Sequence, residues 1–148
     1  MNKASVISIV IMLSSFFVSA QETAPDSYRE EKAPHKVIMQ LSSSDTLAWK
    51  MLMNNIKNIK ATWEDKVAIE VVVNGPGISF LMKEKATQSD RIIYFKSQGV
   101  AFMACENTMK ERNISKESII PEAGFVKSAA VEIILKQEQG WTYIKGGF

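Results

Sequence analysis

From residue 35 onward, the spacing of hydrophobic positions switches several times between a strand-like and a helix-like period. Val37-Ile38-Met39-Gln40-Leu41 is a short apolar run with the length of a buried strand, and Ser42-Ser43-Ser44-Asp45 closes it with residues that cap helices. Trp49, Leu52, Ile56, Ile59 and Trp63 then recur at steps of three and four, while Lys50, Asn54, Lys57 and Asn58 fall elsewhere. That spacing predicts an amphipathic helix with a Trp/Ile stripe facing a core and lysines facing water. Residues 66–73 follow, rich in β-branched side chains and too continuously apolar for a sheet with one wet face, as in a central parallel strand.

Asn74-Gly75-Pro76-Gly77 stops that strand, its two glycines suited to a tight turn or to a close approach by a ligand. Residues 78–83 predict a short helix. Ser89 or Asp90 caps a second one that carries Ile92, Ile93 and Phe95 and ends near Gly99. Val100-Ala101-Phe102-Met103-Ala104 reads as a third strand delivering Cys105, and residues 107–112 read as helical. Residues 115–118 form a further short turn, with Pro121 as a stop. Ser128 caps a last helix that holds Val131, Ile134 and Leu135 up to Gly140, and Trp141-Thr142-Tyr143-Ile144 closes as a strand. The alternation defines an α/β fold: a three-layer sandwich with a mainly parallel, about five-stranded sheet and helices on both faces. The loops after the first three strands are then expected to gather on one edge of the sheet.

The amino end has a different character. Met1-Asn2-Lys3 is a short positive start, residues 6–18 are apolar apart from serines, and Val18-Ser19-Ala20 has the small-residue pattern of a signal-peptidase site. Residues 1–20 therefore read as a cleavable signal peptide that sends the protein to the periplasm. The apolar run is shorter than the roughly 20 residues of a spanning helix, so no stable membrane insertion is expected after cleavage. Residues 21–34, polar and with two prolines, read as a flexible leader, and residues 35–148 as a single domain. Cleavage removes Lys3 and no acid from a chain of formal charge +2, which leaves it close to neutral. Such a balance gives no electrostatic footprint for nucleic acid.

The candidate chemistry rests on one atom. Cys105 is the only cysteine, so no disulfide forms within the chain, although export favours them. It is an inert core residue, a partner to another molecule, or a working thiol. At a strand's carboxyl end it occupies the place where open α/β sheets put ligand crevices, and amides of Asn107 and Thr108 at the start of the next helix favour a thiolate. His35 is the only histidine, no metal-ligand spacing occurs, and neither Gly-rich nucleotide fingerprint is present, so no metal and no cofactor is expected. Asn74, Gly75 and Gly77 supply the facing loop.

Taken together, His35-Lys36-Val37 entering Gln40-Leu41-Ser42, the helix with Trp49 and Asn54-Asn55-Ile56, Val73-Asn74-Gly75-Pro76-Gly77, Gly99-Val100 leading to Ala104-Cys105-Glu106-Asn107-Thr108-Met109, and Gly140-Trp141-Thr142-Tyr143-Ile144-Lys145 resemble the DsrE/DsrF-like family. The resemblance implies a compact α/β sandwich, a homo-oligomer, and sulfur carried as a persulfide on Cys105, received from a small sulfur compound or protein thiol and passed to an acceptor. It places Asn74, Gly75, Gly77, Asn107 and Thr108 around that residue as binding positions. Well-studied relatives act in the cytoplasm, whereas this chain starts with an export signal. The alternative reading is a noncatalytic oligomeric module that binds a small ligand or protein and keeps Cys105 for packing.

Overall fold

A computed structural model describes residues 35–147; the signal peptide and leader assigned to residues 1–34 lie outside the described residues. Strand β1 is His35–Leu41, followed by helix α1 (Thr46–Trp63) and β2 (Val67–Val73). A 3-10 helix (Gly75–Leu81), α2 (Ser89–Ser97) and β3 (Ala101–Cys105) come next. Helix α3 (Glu106–Glu111), β4 (Gly124–Val126), α4 (Ala129–Glu138) and β5 (Thr142–Lys145) complete the order. All five strands are parallel, in the order β4-β3-β2-β1-β5. The α/β sandwich expected from the hydrophobic pattern is therefore the fold.

The topology makes its two faces unequal. From β1 to β4 the chain steps outward in one direction, and right-handed crossovers then put every connection on the same face. On that face Trp49, Leu52, Met53 and Ile56 of α1, Ile92 and Phe95 of α2 and Met109 of α3 pack with Met39, Leu41, Val71, Val73, Phe102 and Ala104 in one large core. Each fully buried Leu or Ile side chain there contributes roughly 1.5–3 kcal/mol. The single return step, from β4 across to β5, carries α4 over the opposite face. There the buried cluster is small: Ile38, Val72, Cys105, Val126 and Ala129, with Met103, Ile133 and Trp141 against it.

Local chemistry sets the start of α1. Asp45 caps α1, its carboxylate accepting the Leu47 amide at 2.8 Å. Trp63, at the far end of the predicted stripe, stacks on His35 with ring centroids 3.8 Å apart, a packing role for the only histidine.

Four elements differ from expectation. Ser128 precedes α4 as expected, but its side chain makes no capping hydrogen bond. The helical turn placed at residues 78–83 is a 3-10 helix that begins at Gly75, because Pro76 has its φ preset for a helical first turn. Helix α2 starts after Gln88 without a side-chain cap, the Ser89 hydroxyl donating instead to the Ala86 carbonyl. Strand β4 is three residues long, too short to announce itself by periodicity, and is recruited by pairing with Met103, Ala104 and Cys105.

Candidate functional site

The register brings the carboxyl ends of the strands together. Leu41 pairs with Val73, Val73 with Ala104, and Cys105 with Val126. The loops after β1, β2 and β3 do meet at this edge. The Asn74 amide donates to the Leu41 carbonyl at 3.0 Å, and the Gln40 side-chain amide donates to Asn74 Oδ1 at 3.1 Å. Gly75, at φ +52°, sends its amide to the Thr108 hydroxyl at 3.0 Å. Gly77 lies so near β1 that a β-carbon there would stand 2.5 Å from the Leu41 carbonyl oxygen. The two glycines thus have separate reasons: Gly75 needs a left-handed backbone and Gly77 needs the space.

Cys105 occupies a topological switch point. Beyond β3 the chain turns into α3 on the crowded face; beyond the adjacent β4 it turns into α4 on the other. Ligand crevices of open α/β sheets form where neighbouring connections part in this way. Strand alternation points the Cys105 side chain to the α4 face, where it is 4% exposed. Its sulfur accepts the Ala129 amide, the first residue of α4, at 3.4 Å.

That geometry corrects the expected anion pocket. Helix α3 has only six residues, and its Asn107 amide donates to the Lys127 carbonyl at 3.2 Å. The Thr108 hydroxyl, on a residue 5% exposed, accepts from Gly75. Among the described residues, none of Asn74, Gly75, Gly77, Asn107 and Thr108 hydrogen-bonds to the sulfur. The helix end that reaches it belongs to α4, further along the chain, and the expected set divides into a loop scaffold and a separate thiol.

Three functional-looking features escaped sequence reasoning. A relay runs from the Tyr143 hydroxyl to Gln40 Oε1 at 2.7 Å and on through Gln40 to Asn74. A small cavity of about 320 Å³ beside it is lined by Gln40, Ala130, Ile133, Ile134, Gln137 and Tyr143. Glu70, on β2 beneath α4, is 6% exposed and accepts Lys136 Nζ at 2.6 Å, and burial raises its carboxyl above the usual range against the pull of that lysine. One signal for the last was legible: Glu70 is the single charge within Val67–Val73, and a strand buried on both faces has to pair it. A wide, open cleft of about 1180 Å³ lies between α1 and α2 at the amino edge of the sheet, near Val67, Ala68 and Gly99, far along the strands from Cys105.

A five-stranded parallel sheet with helices on both faces places the chain among the small three-layer α/β sandwich proteins. The profile of the DsrE/DsrF-like family matches residues 32–145, and the chain belongs to that family. Among solved structures it is similar to the protein of unknown function MTH1491 from Methanobacterium thermoautotrophicum, with 28% identity, a TM-score of 0.71, and coverage of 75% of this chain and 98% of that one. The conserved protein of unknown function BT1422 from Bacteroides thetaiotaomicron shares the fold at 14% identity and a TM-score of 0.61, covering 78% and 97%. The ychN protein from E. coli does so at 14% and 0.58, covering 75% and 97%. No curated protein matches the chain.

Proposed function

We propose that this protein is a periplasmic sulfur carrier that holds sulfane sulfur as a persulfide on Cys105 and passes it to an acceptor thiol. The observation that carries the reading is the position of the sulfur: at the switch point of a DsrE/DsrF-like sandwich, in hydrogen-bond contact with the first amide of α4. The amino-terminal sequence supports export.

In the loading step the Cys105 thiolate attacks the outer sulfur of a persulfide or of thiosulfate. One S–S bond forms as another breaks, and a thiolate or sulfite leaves with the electron pair. In delivery an acceptor thiolate attacks the outer sulfur of Cys105–S–SH and Cys105 leaves as thiolate, so neither step needs an external oxidant. The Ala129 amide and the positive end of α4 favour negative charge on the sulfur in both steps. With no second cysteine in the chain, delivery has to be intermolecular. A homo-oligomer fits the apolar side chains that α4 and β5 present outward: Val131, Ile134, Leu135 and Tyr143 are all exposed.

The burial of Cys105 supports a second reading, a binding module in which the sulfur only packs against Ile38, Val72, Val126 and Ala129. Intact-mass measurement of the mature protein before and after polysulfide or thiosulfate treatment, with Cys105→Ser alongside, separates the two. A reducible gain of ~32 Da, one sulfur atom, confined to the wild type is the expected result. If the native protein gains nothing while a denatured control reacts, the thiol is structural and the carrier reading is wrong.

A further inference from the structure

We propose that the Glu70–Lys136 ion pair is a positioning device for the Cys105 site: it fixes where α4 lies on the sheet and so holds the Ala129 amide over the sulfur. Its functional meaning rests on Cys105 being the working thiol; its geometry does not.

Hydrophobicity alone specifies the seat of α4 poorly. The helix reads Ala-Ala-Val-Glu-Ile-Ile-Leu-Lys-Gln-Glu, with apolar residues around most of its circumference. Ala129 is buried and Ile133 partly so against the sheet, while Val131, Ile134 and Leu135, equally apolar, point away. Rolling such a helix exchanges one apolar face for another at little cost in burial. Polar contacts break the tie. Glu70 Oε2 accepts Lys136 Nζ at 2.6 Å, and Lys136 also lies 3.6 Å from Glu132 and over the Trp141 ring, 4.4 Å from its centroid. Roll or slide α4 by one position and a carboxylate and an ammonium are left buried apart.

The pair is a poor device for stability as such. Desolvating the two charges is costly, and Glu70 Oε1 is buried with no hydrogen-bond partner among the described residues, so an apolar pair would leave the fold at least as stable without saying where the helix sits. What the ions add is register, the best-attested use of buried polar groups. Ala129 and Lys136 are separated by two helical turns, about 10.5 Å of rigid rise, so fixing one end on Glu70 fixes the other on Cys105. Glu70 and Lys136 are positioning residues and touch neither the sulfur nor its cargo.

The test compares Lys136→Met, Glu70→Val and the double variant with the wild type in the full mature protein. The readouts are the rate of Cys105 alkylation by iodoacetamide, amide exchange at Ala129, and the melting temperature. We expect each single variant to melt lower. The double variant should melt at or above wild type, yet alkylate Cys105 about tenfold faster with loss of Ala129 protection, because the seat opens while the fold holds. The double variant carries the test if a single variant fails to fold. Wild-type alkylation and wild-type Ala129 protection in the double variant would overturn the proposal. Persulfide loading followed in the same samples keeps the two ideas apart: faster alkylation without any loading refutes the carrier and leaves the positioning role standing, and loading with an unmoved Ala129 does the reverse.

Discussion

The α-carbon of Gly77 faces the Leu41 carbonyl at a separation that leaves no room for a side chain, with a β-carbon there standing 2.5 Å from the oxygen and 3.1 Å from Ser42 Cα. The loop after β2 is thereby clamped to the end of β1 by backbone alone. Because both obstructing groups are backbone, Gly77→Ala has to push the loop off the end of β1. A loss of roughly 1–3 kcal/mol is expected, read as a lower midpoint in urea unfolding; an unchanged midpoint would mean the loop yields freely.

Thr108 ties α3 to the same loop through the Gly75 amide at 3.0 Å. Thr108→Val keeps the shape and strands that donor, at a cost of about 1–3 kcal/mol, whereas Thr108→Ser keeps the bond and loses only a methyl group. Chemical denaturation of the two variants should therefore rank Ser above Val. The opposite order would show that the methyl group, not the hydroxyl, secures the loop.

Burial raises the Glu70 carboxyl, with Lys136 pulling the other way and Glu132 adding a smaller upward push. A folded-state value above the unfolded one means that the folded protein binds the proton more tightly. That contribution to stability is complete below the unfolded value, near 4.3 for a glutamate, and is lost as pH rises through the folded value. Relative to Glu70→Gln, the wild type should gain stability as pH falls from neutral through the acidic range. Paired melts across that range check it: a constant gap would show that Glu70 titrates as an ordinary carboxyl, and a wild type that loses stability relative to the variant as pH falls would show that the pull of Lys136 outweighs burial.

Self-association through α4 and the β5 edge predicts that Leu135→Glu, an exposed position on that face, shifts the protein to a smaller species without lowering helix content. Light scattering at micromolar concentration, with circular dichroism as the control, decides it. A monomeric wild type would remove the oligomer from the proposed function.

Much of this architecture is written in local patterns. The Trp49-to-Trp63 stripe, the apolar run of β2 and the Asp45 cap are consequences of period and capping chemistry, which depend on near neighbours, so they are legible in the amino-acid sequence. The same holds for Cys105 at the end of β3, since a strand followed by a polar helix start is a local event. Strand β4 is not legible, because three residues carry no period and pair only where β3 offers an open edge.

The sequence by itself determined the α/β alternation, the family and the cysteine on which the proposed chemistry turns. Only the tertiary structure decided which helix end meets the sulfur. Alternation along β3 turned Cys105 to the face opposite α3, and the return crossover from β4 brought Ala129 to it across 24 residues of chain. It also decided that Glu70 would find Lys136, 66 positions away. Neither meeting has a local signature: each depends on the hand of a crossover and the order of strands, which arise from the chain as a whole.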